Sequence, residues 1–227
     1  MIVDVVIPAL NEEQSLTSVL ADIPKDLVRN IVVVDNGSTD QTAKVAAKAG
    51  ATVLFQPEKG YGAACLTGID FCKAQSPTPD VICFLDADYS DYPSEMPLVL
   101  APIFNGDADL VIGSRATGER EKGSMMPQQL FGNWLATTLL RWFYGVKFTD
   151  LGPFRAIRFD SLMLIGMKDR NFGWTVEMQL KAAKMKLRCV EVPVSYRQRI
   201  GVSKVTGTIK GSFMAGYKIL YTIFRYL

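Results

Sequence analysis

The chain has 227 residues, 48% of them hydrophobic and 21% charged, with a formal net charge of +2. That is enough apolar material for one full core, and too little positive charge for the broad basic field that nucleic-acid binding uses. There is no histidine, which excludes Ser-His-Asp and Cys-His nucleophile chemistry, a histidine general base and nearly every zinc site.

Any chemistry must therefore be run by carboxylates, basic residues, backbone groups and metal. The four cysteines, Cys65, Cys72, Cys83 and Cys189, form no C-x-x-C pair and read as reduced core residues. The opening MIVDVVIPALNEE carries acids where a signal peptide would have a basic start, so the chain reads as cytoplasmic.

In chain order, residues 3–8 (VDVVIP) predict a first strand, and residues 13–21 a helix with acids at its start, where the macrodipole favours them. Residues 31–35 (IVVVD) predict a second buried strand. NGSTD (36–40) is a tight turn in which Ser38 or Thr39 can cap a helix running to residue 49. Residues 52–55 predict a short third strand. KGYG (59–62) opens a helix over 63–74, and SPTP (76–79) breaks it. Residues 81–85 (VICFL) predict a fourth buried strand that runs into Asp86-Ala87-Asp88. A helix over 93–104 and a fifth strand over 108–113 follow, closing on Ser114-Arg115.

Strand and helix alternate throughout this half, which predicts an α/β fold with a doubly wound, mostly parallel sheet. The polar clusters 8–12, 35–38, 86–88 and 114–115 each stand just after a strand. That is the sheet edge where open α/β folds bind ligands. Asp86 and Asp88 are like charges two residues apart, and a hard divalent cation, Mg²⁺ or Mn²⁺, relieves their repulsion while sharing its ligands with substrate phosphates.

Beyond Arg115 the pattern changes. Residues 117–124 (TGEREKGS) form a polar loop, and 129–145 a long apolar helix with Trp134, Trp142, Phe143 and Tyr144. Residues 150–158 are a turn leading into a short strand. An amphipathic helix over 175–185, a strand over 188–196, a basic loop RQRIGVSK (197–204) and a helical segment over 207–227 complete the chain. The last segment carries Lys210, Lys218 and Arg225, so its uncharged runs fall short of a membrane span. Its cations and aromatics suit a membrane surface, and equally packing against the sheet or a second subunit in a homodimer.

The motifs VIPALNEE (6–13), VVDNGSTD (33–40), LDAD (85–88), GSR (113–115), GPFRAIR (152–158), WTVEMQ (174–179), EVPV (191–194) and R-x-G-x-S-K (199–204) cover nearly the whole chain. In that order they resemble the family 2 glycosyltransferases of the GT-A fold, in particular the branch of polyprenyl- or dolichyl-phosphate mannose and glucose synthases. The resemblance implies a single domain. Residues 1–115 would be its nucleotide-sugar-binding half and residues 116–227 its acceptor half. It also implies a nucleotide-diphosphate sugar donor, a divalent metal and inversion at the anomeric carbon. By the same resemblance Pro8, Ala9, Asn11 and Glu12 would line the nucleoside pocket. Asp35 would hold the base, and Gly37 would allow close backbone approach. Asp86 would touch ribose or metal beside Ala87, and Asp88 would ligate the metal. Arg199 and Lys204 would close over the donor phosphates.

An acceptor phosphate is ionised at neutral pH and attacks without a base, whereas a hydroxyl needs one. The candidate bases are Glu177 and Asp150. Arg115 looks like a residue that holds an acceptor phosphate in this branch. Where the branch often has a second basic residue, this chain has Met126-Pro127-Gln128-Gln129. Gln128 can hydrogen-bond a phosphate without adding charge, and Arg155 is a candidate to compensate. The expected activity is hexose transfer to a polyprenyl-phosphate or other lipid acceptor, with peripheral contact at the inner membrane face. The alternatives are the same transfer to a soluble or glycan hydroxyl, a nucleotidyltransferase, whose Gly-rich basic signature residues 6–13 lack, and a nucleotide-sugar-binding module.

Overall fold

In the computed structural model, which describes residues 1–201 and 209–226 (of 209–213 and 215 only the backbone), the elements run in this order. β1 (Val3–Ala9), α1 (Leu16–Asp22), β2 (Asn30–Asp35), α2 (Thr42–Lys48), β3 (Thr52–Phe55), α3 (Tyr61–Lys73) and β4 (Val81–Phe84) come first. A 3₁₀ turn (Pro93–Glu95) leads into α4 (Met96–Phe104), β5 (Leu110–Ser114) and α5 (Pro127–Tyr144). Then come β6 (Arg155–Arg158), α6 (Phe159–Ile165), α7 (Trp174–Lys184), β7 (Cys189–Pro193) and α8 (Ile209–Arg225).

The seven strands form one sheet in the order β3-β2-β1-β4-β6-β5-β7. Every pairing is parallel except those of β6, which runs antiparallel between β4 and β5. The sheet is therefore mostly parallel, as expected. The reversal of β6 is not visible in its four residues. Phe84 pairs with Arg155 and Val81 with Arg158, so the chain returns from the carboxyl edge to the amino edge by this strand.

Helices cover both faces, so β1 and β4 are buried along their whole length and read as continuous apolar runs. Alternate residues enter opposite cores, following the two-residue period of a strand. Val6, Ile82, Phe84 and Ile112 pack with α3, α5, α7 and α8 on one face. Val5, Ile7, Cys83 and Val111 pack with α1, α2 and α4 on the other. The cysteines are all free, and all but the half-buried Cys189 lie in the core.

Two local expectations are corrected, and one helix is unanticipated. α1 starts at Leu16 because residues 12–15 make a turn, with the Ser15 and Leu16 amides both donating to the Glu12 carbonyl. The start of α2 is held by Asp40, whose Oδ1 accepts the Thr42 amide, and not by Ser38 or Thr39, which bind Asn11 instead. α6 follows β6 without a break, so no turn residue marks it in the sequence.

Candidate active site

The carboxyl ends of β1, β2 and β4 open into a cavity of about 290 Å³. Pro8, Ala9 and Glu12 come from the first end, Asn36 from the second, and Asp86, Ala87 and Asp88 from the third. Lys59, Tyr61, Asn171, Phe172 and Arg199 close the remaining sides.

Burial, and then the charge of Asp88, push the Asp86 carboxyl up to about 7. The Tyr61 hydroxyl donates to Asp86 Oδ1 at 3.0 Å. Asp88 Oδ1 accepts the Ser90 amide at 2.9 Å, which fixes the carboxylate and turns Oδ2 to Arg199 Nη1, 3.0 Å away. Arg199 Nη2 lies 3.0 Å from Glu12 Oε1, so one guanidinium bridges two acids. The donor chemistry fits a hard divalent cation: two carboxylates, one already facing a positive charge and the other costly to ionise alone. Among the described residues no group of three or more His, Cys, Asp and Glu side chains is placed to hold a metal. The remaining ligands would be phosphate and water oxygens, as suits Mg²⁺ or Mn²⁺.

Arg199 is aimed by the backbone around it. The Arg197 amide donates to the Ser90 carbonyl and the Ile200 amide to the Asp88 carbonyl, both at 3.0 Å. The Arg197 guanidinium lies over the rings of Tyr89 and Tyr92, 3.3 and 4.0 Å from their centroids. The start of the basic loop is thus laid along the acidic loop. Lys204 lies outside the described residues.

The opposite wall joins two distant stretches. Asn36 accepts the Gly60 amide at 2.7 Å and donates to the Gln56 and Glu58 carbonyls, drawing residues 56–60 across the cavity. The stretch 168–173 packs directly on Gly60 and Gly62. A Cβ at either glycine would meet the Arg170 or Asp169 carbonyl oxygen at 2.1 or 2.0 Å, so only glycine fits there. The sequence gives Lys59, Tyr61, Asn171 and Phe172 no site role, and Asn36 only a place in the 35–38 cluster. The K-G-Y-G run was the one available signal, because two glycines flanking a tyrosine at a helix start mark a close backbone approach.

The other expected site residues are dispersed. Asn11, Asp35 and Gly37 stand beside the cavity but do not line it. Asn11 Oδ1 accepts the Thr39 amide, Asp35 Oδ1 accepts the Ser38 amide, and Gly37 has φ +81°. Together they hold the β1 and β2 loops against each other. Arg115 and Gln128 line a second cavity of about 240 Å³ with Met125, Leu151 and Ile219.

Asp150, a candidate base, is paired with Arg115. Its buried carboxylate takes Arg115 Nε and Nη2 at 2.7 Å and the Arg115 amide at 2.8 Å. Burial raises its proton affinity, but the Arg115 charge and hydrogen bonds outweigh that and hold the carboxyl below its usual range. Arg155, a candidate acceptor ligand, stands apart from both cavities. It is fully buried, with Nε on the Gly152 carbonyl and Nη1 on that of Thr175, and lines neither cavity. Glu177, the other candidate base, lies away from the first cavity. It faces a third, small cavity and accepts from the Lys168 and Asp169 amides, Lys181 Nζ and the Tyr226 hydroxyl. Burial works against its ionisation, but these donors hold its carboxyl below the usual range.

Comparison with known proteins places this geometry. The family "Glycosyl transferase family 2" matches residues 4–166. The chain is 37% identical over 214 residues to an uncharacterized glycosyltransferase of Mycobacterium tuberculosis, covering 94% of each. It is 31% identical over 219 residues to the undecaprenyl-phosphate mannosyltransferase of Micrococcus luteus, covering 91% of this chain and 88% of that one. In fold it is similar to glucosyl-3-phosphoglycerate synthase of Mycobacterium tuberculosis, crystallised with Mn²⁺, UDP and glucosyl-3-phosphoglycerate. The TM-score is 0.77 at 21% identity, covering 99% of this chain and 79% of that one.

Proposed function

Because the chain belongs to glycosyl transferase family 2, we propose that it moves a hexose from a nucleoside-diphosphate sugar to the phosphate of a polyprenyl-type lipid. The observation that carries the acceptor class is the commitment of both candidate bases. Asp150 is locked on Arg115, and Glu177 is turned to another cavity under four donors. With no histidine in the chain, neither of these two carboxylates is free to serve a hydroxyl acceptor, whereas a phosphate oxygen arrives ionised. The second cavity suits such an acceptor. It has Arg115 and Gln128 among apolar neighbours, and Arg115 Nη1 makes no hydrogen bond among the described residues. The Micrococcus relative is named for a lipid phosphate of this kind.

In this reading the acceptor oxygen attacks the anomeric carbon opposite the departing diphosphate, and configuration inverts. Asp86 and Asp88 would hold the divalent cation, which when bound neutralises the diphosphate oxygens as they gain charge. Arg199 leaves its bridge between Glu12 and Asp88 to meet the same oxygens, a contact worth most in the transition state. Lys59 stands across the cavity with the same sign of charge. Asn171 and Phe172 narrow the cavity and keep water from the reacting carbon. No helix among the described residues is long and apolar enough to cross a membrane. The exposed Phe131, Trp134 and Trp142 of α5 and Tyr217, Tyr221 and Phe224 of α8 would rest on the lipid surface instead.

The test is transfer from UDP- and GDP-hexoses with Mn²⁺ to vesicles containing polyprenyl phosphate, with polyprenol vesicles alongside. Product with the phosphate alone supports the reading. Equal product with polyprenol overturns it.

A further inference from the structure

Behind the cavity wall formed by Asn171 and Phe172, a second set of contacts reaches across to the last helix. Glu177 Oε2 accepts the Asp169 amide at 2.7 Å, Glu177 also accepts the Lys168 amide at 3.1 Å, and its Oε1 takes the Tyr226 hydroxyl at 2.8 Å. Asp169 Oδ1 in turn accepts the amides of Asn171 at 2.7 Å and Gly173 at 3.1 Å. Its Oδ2 lies 3.0 Å from Lys218 Nζ. On its other side the stretch is tied to α3, where the Ala63 amide donates to the Arg170 carbonyl at 2.9 Å. Arg170 also pairs with Glu58.

Residues 168–173 contain no regular element and few apolar anchors, so these polar contacts fix their path. The two carboxylates that hold the stretch are both buried or nearly so, and each is completed by a side chain of α8 or the residue just after it. Removing Lys218 or the Tyr226 hydroxyl leaves a buried carboxylate short of a donor, and the amides it holds must shift to compensate. Asn171 carries one of those amides and Phe172 lies between two of them, so the shift is delivered to the cavity.

We propose that Glu177, Lys218 and Tyr226 are positioning residues for the nucleotide sugar: they fasten residues 168–173 to α8 and thereby set the wall against which the donor binds. The inference rests on reading that cavity as the donor site. It assigns Glu177 a part in donor binding, in place of proton transfer, through a wall the carboxylate does not itself enter.

The test uses the full chain with Mn²⁺ and, as probes, UDP and GDP in parallel calorimetric titrations. Tyr226→Phe and Lys218→Met are expected to weaken the bound nucleotide about threefold to tenfold. Lys218→Arg, which keeps the charge beside Asp169, is expected to restore wild-type affinity. In turnover assays the same loss appears as a raised KM for the nucleotide sugar, with kcat within about twofold of wild type. Tyr226→Phe keeps the ring that lies 5.4 Å from Lys181 Nζ, so folding is preserved while the hydroxyl is lost. Variants that melt earlier but bind the nucleotide as wild type does would show a purely structural tie and overturn the inference alone. A wild-type chain that binds neither nucleotide overturns the donor-site reading, and this inference with it.

Discussion

Arg199 Nη1 stands 3.0 Å from Oδ2 of Asp88, a carboxylate that would hold the divalent cation in the proposed reading. In the proposed reading a cation held by Asp88 would contend with the guanidinium for this carboxylate before the donor arrives, and both would face the diphosphate afterwards. Replacing Arg199 by alanine should therefore lower kcat by about 10²- to 10³-fold while leaving Mn²⁺ affinity unchanged or tighter. Mn²⁺ titration of the donor-free protein decides it: affinity that falls in step with kcat would place Arg199 on the side of holding the metal.

Asp88→Asn keeps an oxygen to accept the Ser90 amide but removes the negative charge. Transfer should fall on the order of 10³-fold. The melting temperature should stay close to wild type, because the local hydrogen bond survives. Activity in the unaltered chain should vanish in excess chelator and return with Mn²⁺. Turnover that persists in chelator would remove the metal from the mechanism.

Glu177→Gln separates a wall support from a base. Loss of a general base costs about 10²- to 10⁴-fold in rate. Here kcat should fall by less than about tenfold, while urea denaturation shows a loss of about 1–3 kcal/mol. That loss reflects Lys181 Nζ, 2.8 Å from the carboxylate, left without its charge partner.

The carboxyl of Asp86, pushed up to about 7 by burial and the neighbouring Asp88, gives the metal-free protein a definite pH response. Between the ordinary aspartate value of about 3.9 and about 7, the native state holds a proton that the unfolded chain has released. Stability therefore falls as pH rises through that window and levels off above it. A bound cation favours the ionised form, so Mn²⁺ should bind more tightly as pH rises through about 7 and release a proton when it binds at lower pH. Thermal melts across that range, with and without Mn²⁺, should converge at the acid end. Melts that stay parallel would take Asp86 out of the metal site.

The parts of this fold that were legible in the sequence are those with a repeating physical signature. Four apolar runs that each end in polar residues give the parallel edge, and Asp86-Ala87-Asp88 after the third of them gives the acid pair. The direction of β6 left no trace, because four residues carry no information about which neighbour they pair with. That is why Arg155 looked available to a ligand when its strand in fact holds it inside the fold. The amphipathic pattern over 175–185 gives the helix that carries Glu177, but not which cavity its carboxylate faces. Asn171 and Phe172 were invisible for another reason: they belong to an irregular stretch more than a hundred residues from the glycines it packs on.

Arg155 carries its charge where no counter-ion from solution can reach it, with burial pulling its proton affinity down to about 10. Its electrostatic neighbours include Tyr61, which donates to Asp86. Surface cations lose their influence as ionic strength rises, but a guanidinium sealed among carbonyls keeps its own. The positive charge that Tyr61 feels behind Asp86 is thus of constant size, and its share of the site's electrostatics should persist in brine.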